Sequence, residues 1–375
     1  MKTDYVLIIS GQFQYGVATN FLQELAVELG LLNYEPVWFP LSAEQSHEQH
    51  LLNLYNLISN KDIKFIFGIN GLGLDYVSCF DELKPLPCFT WLLDHPVHHY
   101  QRFVAHKTWL RLLCVDQSHV NWLTQLGFNA EQFLHATKVR SLAPRPPTDV
   151  GILFPASYFD ETAQIPALHE AHPKLLELLM DPAIDSLPTL LSVLRFGEKG
   201  GVLEADANTL NFLRLADLFL RGRNRNQLVH DFAQAGIQLA IAGRGWNEVG
   251  AGSHLLLRSM TWQELKQLFS RSQFVLHDHP GFSAGLHERV LTSLAAGTAV
   301  LTRHNSFLEQ QFSPTDGLYG FNQVSELLQR GLDEHQPEQI AKTDALLLHT
   351  WSCRAKQLVQ LVERTHCGSA DLVTG

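Results

Sequence analysis

Short apolar runs alternate with helical patterns along the first third of the chain. Runs of four to six residues, each typical of a buried strand, occur at residues 5–10, 36–39, 63–67, 88–92 and 112–115. Helices are predicted at residues 17–30, 44–59 and 117–126. Strands that alternate with helices are typical of βαβ units, so the pattern predicts an α/β domain with a doubly wound parallel sheet.

A proline-rich segment separates this region from a second one of the same kind. Three prolines fall within residues 144–147, where they can neither continue a helix nor join a central strand. Strands are then predicted at residues 150–154, 238–242, 274–277 and 298–302, and helices within 158–235 and at 323–332 and 351–365. We therefore expect an amino-terminal domain at 1–145, a carboxyl-terminal domain at 149–350, and a helix in 351–375 that packs back across the domains.

The composition and charge of the chain argue against several classes of function. The net charge of −10, from 28 basic and 38 acidic residues, argues against a nucleic-acid partner. No apolar run is long enough to predict a membrane span, which needs about 20 residues. The five cysteines show no spacing typical of a zinc site. Residues 1–10 resemble a first strand more than a secretion signal, so we expect a cytoplasmic protein.

The residues that follow the strands are the first candidates for a site, because ligands of open α/β sheets bind outside the carboxyl ends of the strands. One such segment is glycine-rich and leads into a helix predicted to begin near Leu286. Gly281 and Gly285 would let the backbone approach a ligand, and the free N–H groups of the helix would face an anion. The segment predicts a phosphate-binding loop, although an ordinary loop-helix-strand unit of an α/β domain is the alternative.

Two further segments carry candidate chemistry. The sequence Gly243-Arg244-Gly245-Trp246 fits a turn against which a nucleotide base or ribose could lie, or else a β-turn with a surface arginine and a core tryptophan. Asp94 and His95 follow a predicted strand, where either side chain could act as a general base. The alternative for this pair is a turn closed by the next residue, a proline.

Clusters of histidine and arginine are weaker signals. His95, His98 and His99 would share one face of a helix, but the intervening proline and the lack of further ligands argue against a metal site. The run from Arg221 to Arg225 could meet phosphate, yet a solvated basic run before a helix is the favoured interpretation. We expect no metal site.

Several segments, taken in order, resemble one family: glycosyltransferases of the GT-B fold, and within them the CgeB-like group, named after a spore maturation protein. The matching segments are residues 149–154, 239–246, 286–302 and 349–354, with a looser match at 91–96. The resemblance implies two facing Rossmann-like domains with an interdomain cleft. It also implies a nucleotide-sugar donor on the second domain, an acceptor on the first, and transfer without a metal ion or a resident cofactor.

The resemblance also implies roles for individual residues. The donor side would be formed by two strand-end segments and the loop after the last strand: Gly243, Arg244, Gly245, Trp246, Ser283, Gly285, Leu286, His287, Glu288, Arg289 and Asn305. Gly285, Leu286 and His287 would lie at the diphosphate, Arg289 would be a phosphate partner, and Glu288 would bind ribose or fix the loop. A UDP- or dTDP-linked sugar is the expected donor, and a protein, a glycan or a small molecule the acceptor.

One departure from the family pattern leaves the reaction course open. Many retaining members carry two glutamates with seven residues between them, and the corresponding positions here are Ala284 and Thr292. If the reaction inverts the configuration of the sugar, Asp94 or His95 is the expected base; if it retains that configuration, the leaving phosphate itself is expected to assist. Alternatives to transfer are a nucleotide-sugar epimerase or phosphorylase of the same fold, and a non-catalytic nucleotide-binding module.

Overall fold

The computed structural model describes residues 3–13, 16–139, 146–196, 206–250, 252–279, 281–329 and 343–370. These residues form two compact units, one of Met1–Ala136 with His349–Gly375 and the other of Thr137–Leu348. Most of the proline-rich boundary at 141–149 lies outside the described residues. Within the described parts of the chain, no helix combines the length and apolar character that a membrane crossing requires.

The first unit is built on a six-stranded parallel sheet. Its strands are β1 (Asp4–Ser10), β2 (Tyr34–Pro40), β3 (Ile63–Ile69), β4 (Cys88–Leu92), β5 (Leu110–Cys114) and β6 (Asn129–Gln132), in the spatial order β2-β1-β3-β4-β5-β6. The central strands are buried on both faces, which explains their continuous apolar runs.

Helices cover this sheet. They are α1 (Val17–Leu31), α2 (His47–Ile58), α3 (Leu74–Val77), α4 (Tyr100–Phe103) and α5 (Gln117–Gln125), with short 3₁₀ turns at Pro96–His98 and Val104–His106. Local sequence sets their starts: Ser46 and Gln49 form a capping box before α2, and Asp116 caps α5. The last helix of the chain, Trp351–Ala370, belongs to this unit and packs against α1.

The second unit has a six-stranded parallel sheet of its own. Its strands are β7 (Val150–Phe154), β8 (Leu239–Ala242), β9 (Leu255–Leu257), β10 (Ser272–His277), β11 (Ala299–Arg303) and β12 (Leu318–Phe321), in the order β12-β11-β10-β7-β8-β9. The chain places β8 and β9 on one side of β7, then returns to place β10 to β12 on the other. The strand order therefore reverses between β7 and β10.

The helices of the second unit vary widely in length. They are α6 (Ile165–Ala171), α7 (Pro173–Leu179), α8 (Leu187–Leu194), α9 (Ala207–Gln234), α10 (Trp246–Val249), α11 (Trp262–Arg271), α12 (Glu288–Ala295), α13 (Ser306–Gln311), α14 (Val324–Gln329) and α15 (Asp344–Leu347). The terminal helix of the first unit, Trp351–Ala370, is numbered α16. The helix expected near Leu286 begins two residues later, at Glu288, because His287 is its cap. Two doubly wound α/β units were predicted, and both are present.

Candidate functional site

The carboxyl ends of the second sheet bring the predicted donor residues to one edge. Because all six strands run parallel, the segments after β7, β8, β10 and β11 emerge on the same side. The switch point between β7 and β10 is where an open α/β sheet leaves a crevice for a ligand. The candidate site is therefore the set of segments that border this point.

A buried carboxylate joins two arginines at the switch point. Asp278, directly after β10, has a side chain only 2% exposed. Its Oδ2 accepts a hydrogen bond from Nε of Arg225 at 2.6 Å, and its Oδ1 accepts one from Nη1 of Arg289 at 2.7 Å. Nη1 of Arg225 also donates to the carbonyl of Ser157, beyond β7, at 2.8 Å. Arg225 thus bridges the two strand ends that border the switch point.

The cluster of Arg225, Asp278 and Arg289 carries a positive charge. Burial opposes ionisation of Asp278, but Arg225 and Arg289 outweigh it and hold the pKa of the carboxyl well below its usual range. Two guanidinium groups against one carboxylate leave one net positive charge on these three residues, and the acidic Glu288 precedes Arg289 at the start of α12. The amino terminus of α12 adds a partial positive charge of about half a unit beside them.

The run from Arg221 to Arg225 is not solvated, contrary to the favoured interpretation of the sequence. These residues lie inside α9. Nε of Arg221 lies 2.7 Å from Oδ2 of the buried Asp217, and Arg223 donates to the carbonyl of Leu179 at 2.7 Å. Helical periodicity turns Arg221 and Arg225 to the same face, which is the signal that could have identified both as buried partners.

Three histidine rings lie close to one another beside Asp278 in the chain and at the cap of α12. The ring of His277 lies 4.6 Å from that of His279 and 5.2 Å from that of His287. Burial lowers the pKa of His277 well below its usual range and that of His279 to about 4, so both rings are neutral near pH 7. His279 adopts a left-handed backbone, φ 44°, and shares a hydrogen bond with Thr302 at 2.5 Å.

The predicted phosphate loop is held by its own side chains. Nδ1 of His287 lies 2.8 Å from Oε2 of Glu288 and 3.2 Å from the amide nitrogen of Arg289. Nδ2 of Asn305, after β11, donates to the carbonyl of Ser283 at 3.3 Å, and its Oδ1 accepts from the amide of Leu308. Asn305 was expected to reach the donor, and its side-chain contacts here fix the loop.

The other loop residues divide between surface and core. Ser283 is exposed, whereas Gly285 is buried and Leu286 is fully buried. Gly281 has φ 80°, and a Cβ there would stand 2.9 Å from Nη2 of Arg221. The loop therefore packs closely on α9 at Gly281.

The turn after β8 packs tightly on the segment after β7. A Cβ at Gly243 would stand 2.1 Å from the carbonyl oxygen of Ala156, so this glycine permits contact with the protein's own backbone. Gly245 has φ 86°. Nε1 of Trp246 donates to the same Ala156 carbonyl at 2.7 Å, and the residue is 4% exposed. Trp246 is accordingly a core residue.

A cavity of about 440 Å³ opens beside this turn. It is lined by the turn, the start of α10 and the end of β9: Gly243, Arg244, Gly245, Trp246, Asn247, Glu248, Leu256, Leu257, Arg258 and Ser259. Apolar, cationic and acidic side chains share its wall. Its size suits a ring-sized part of a small-molecule ligand, since ligand pockets span about 300–1,000 Å³.

In the first unit, the two candidate bases differ in exposure. His95 is 1% exposed, its Nδ1 accepts from the amide of Val97 at 3.3 Å, and its ring packs 4.6 Å from that of His119. The side chain of Asp94 is 45% exposed, and its Oδ2 lies 3.6 Å from Nε2 of His99. Of the two side chains, that of Asp94 is the one that solvent reaches.

The described residues contain no group of three or more His, Cys, Asp or Glu side chains that could hold a metal ion. His95, His98 and His99 do not share a helix face, because Pro96–His98 is a 3₁₀ turn that ends before α4.

Comparisons with known proteins bear on both units. Residues 223–360 match a protein family described as glycosyl transferase-like. No curated protein matches the chain significantly. The matched segment includes Arg225, Asp278, Arg289 and the cavity-lining residues.

Solved structures resemble the whole chain. Sucrose-phosphate synthase from Thermosynechococcus elongatus is 12% identical with a TM-score of 0.58, and the alignment covers 98% of this chain and 100% of that one. HepE from Anabaena, in complex with UDP and glucose, is 8% identical with a TM-score of 0.57 over 96% and 99% of the two chains. An α-glucosyltransferase in complex with UDP and DNA is 12% identical with a TM-score of 0.53 over 97% and 100%. The chain therefore has the α/β fold of the GT-B glycosyltransferases, with a glycosyl transferase-like segment in its second half.

Proposed function

We propose that this protein is a glycosyltransferase that moves a sugar from a nucleotide diphosphate donor to a hydroxyl group of a protein, a glycan or a small molecule. The observation that carries the proposal is the buried arrangement of Arg225, Asp278 and Arg289 at the switch point of the second sheet. Its net positive charge lies beside the amino terminus of α12. A departing diphosphate needs this kind of preorganised charge.

The donor would bind along the strand edge of the second unit. In this proposal the backbone of residues 285–287 and the side chain of Arg289 bind the diphosphate. Glu288 binds the ribose or holds the loop, and Asn305 supports the loop at Ser283. The nucleoside would enter the cavity beside Gly243 and Arg244. Cationic side chains and helix dipoles can replace a divalent ion at a leaving diphosphate, so the proposed transfer is independent of metal.

UDP- or dTDP-linked sugars are the proposed donors. The titles of two structural neighbours report UDP bound to HepE and to an α-glucosyltransferase. Both share this fold over nearly the whole chain, which supports a uridine nucleotide as the first probe.

Ligand binding tests the donor half of the proposal. Thermal unfolding would be followed with UDP, dTDP, GDP and ADP, with the matching nucleosides as controls. A ligand at 100 times its Kd stabilises the folded state by about 2.7 kcal/mol, an easily measured shift. We expect one diphosphate to raise Tm far more than its nucleoside, and the absence of any shift would contradict the donor site.

A non-catalytic nucleotide-binding module is the second candidate. Ala284 and Thr292 favour it, because they stand where many retaining GT-B enzymes carry glutamates. Tight binding of a nucleoside diphosphate without any turnover of the nucleotide sugar would support this candidate. Interconversion of the free sugar nucleotide, followed by NMR, would instead identify an epimerase.

A further inference from the structure

Arg354, in the first turn of α16, is a buried cation of the first unit, with only 8% of the residue exposed. Its Nε donates to the carbonyl of Leu134 at 2.9 Å, and its Nη1 donates to Oε1 of Gln357 at 3.3 Å. Its Nη2 lies 3.0 Å from Nδ1 of His349. Within the described parts of the chain, no Asp or Glu side chain pairs with this guanidinium.

His349 does not supply the missing negative charge. A guanidinium group only donates hydrogen bonds, so Nδ1 of His349 accepts and the proton of the neutral ring is on Nε2. Burial, followed by the charge of Arg354, lowers the pKa of His349 to about 4, so the ring is neutral near pH 7. The positive charge of Arg354 is therefore buried among neutral acceptors.

The start of α16 adds a second source of positive potential. Thr350 caps the helix: its Oγ1 accepts from the amide of Cys353 at 3.4 Å, and its carbonyl accepts from the amide of Arg354 at 3.1 Å. The amides of Trp351 and Ser352 donate to no other group of the described residues. No acidic residue stands in the first turn of this 20-residue helix, whose amino terminus carries a partial positive charge of about half a unit.

This cluster lies at the end of β6. Leu134 follows the strand by two residues, and Nε2 of Gln357 donates to the carbonyl of Gln132, the last residue of β6, at 3.0 Å. Ligands of open α/β sheets bind outside the carboxyl ends of the strands. Ser352 is partly exposed, so the start of α16 is open to solvent.

We propose that Arg354 and the amino terminus of α16 form a phosphate-binding site in the first unit. A buried charge without a counter-ion is costly, and a bound anion removes that cost. Arginine side chains and helix amino termini are both well suited to phosphate. The amides of Trp351 and Ser352 would donate to the phosphate oxygens. The guanidinium of Arg354 has five N–H groups for three protein acceptors, so it would donate as well.

The phosphate is either the free ion or a group carried by a small molecule. Thermal unfolding of the full-length protein would be followed with inorganic phosphate and with glucose 6-phosphate. Potassium chloride at equal ionic strength and glucose are the controls. We expect at least one of the phosphates to raise Tm to a plateau that chloride does not reach, and a higher affinity for glucose 6-phosphate would identify a carried phosphate. The absence of a saturable rise with either would overturn the proposal.

Two arginine variants assign the binding to this site. Loss of a charge-assisted contact costs about tenfold to hundredfold in affinity, so we expect at least a tenfold loss of phosphate affinity in Arg354→Gln. Each variant is compared with itself in the absence of phosphate, which separates binding from stability. Arg289→Ala, in the second unit, should keep the rise in Tm. A rise that disappears in Arg289→Ala belongs to the second unit and would overturn the proposal.

A second variant keeps the test decisive if Arg354→Gln does not fold. Ser352→Asp places a carboxylate in the first turn of α16, where it stabilises the helix and supplies the missing negative charge. We expect its Tm without phosphate to rise and its response to phosphate to be lost. Gln360→Glu adds the same charge at an exposed position of the same helix and should leave the phosphate response unchanged. A Ser352→Asp protein that responds like Gln360→Glu would overturn the proposal.

Discussion

Oδ2 of Asp278 lies 2.6 Å from Nε of Arg225, although 53 residues separate the two in the chain. The contact joins α9 to the end of β10, and Arg289 binds the other oxygen of the same carboxylate. The folded second unit and its proposed anion site therefore depend on the same buried group.

Removal of this carboxylate should destabilise the protein. In Asp278→Asn the two buried guanidinium groups lose their counter-ion, and breaking such a buried pair costs about 3–5 kcal/mol. Urea unfolding would measure the loss. The matched control is Asp231→Asn, which breaks a partly exposed pair with Arg303 and should cost less than about 1 kcal/mol. Equal losses in the two variants would contradict the account.

Acid should weaken the second unit through its buried histidines. The pKa of His279 is lowered to about 4 by burial, so the unfolded chain binds a proton more readily than the folded one. Its contribution to stability is complete above about pH 6.5 and is lost as pH falls toward 4. His277 acts in the same direction. Urea unfolding between pH 7 and pH 4 should show this fall, and His279→Gln should flatten it; an equally steep fall in the variant would contradict the assignment.

The turn after β8 should tolerate no side chain at Gly243. A Cβ there would overlap the carbonyl of Ala156, and the forced shift should cost about 1–3 kcal/mol. Gly151→Ala is the control, because nothing lies within 4 Å of its Cβ position in the same sheet. Alanine in that strand should be neutral or stabilise by about 0.5–1 kcal/mol. Thermal unfolding of both variants would measure the difference, and an undisturbed Gly243→Ala would contradict the close packing.

The sequence predicted the central strands well and the edge strands poorly. Cys88–Leu92 and Val150–Phe154 were located to the residue, since the first is buried throughout and the second is buried from Ile152 onward. Asn129–Gln132, Leu255–Leu257 and Leu318–Phe321 were missed. They are short, partly exposed edge strands whose conformation depends on pairing with a neighbour.

The sequence predicted which segments border the candidate site but not the contacts within it. Residues that follow strands could be named from the sequence, because a parallel sheet brings its strand ends together. Helical periodicity could place Arg221 and Arg225 on one face of α9, but the contact of Arg225 with Asp278 depends on how that helix packs. Likewise, exposure distinguishes Asp94 from His95, and only the fold around the Pro96–His98 turn determines it.

The two arginines should contribute to diphosphate affinity. Arg289→Ala or Arg225→Ala removes a charge-assisted contact worth about 1.5–3 kcal/mol, equal to a loss of about tenfold to hundredfold in affinity. Calorimetry with UDP, or with whichever diphosphate binds, would measure this loss. The matching nucleoside should bind both variants as it binds the wild type. Equal loss of nucleoside binding would show that the variants are misfolded, and unchanged diphosphate binding would remove the arginines from the site.

Release of nucleoside diphosphate from a panel of nucleotide sugars tests the central claim most directly. The wild-type protein, offered UDP- and dTDP-linked sugars with sugar and peptide acceptors and with EDTA present, should release the diphosphate and form a glycosylated product. Arg289→Ala should be strongly impaired under the same conditions. If the wild type releases diphosphate from none of these donors, with or without added divalent metal, the protein is not the glycosyltransferase proposed.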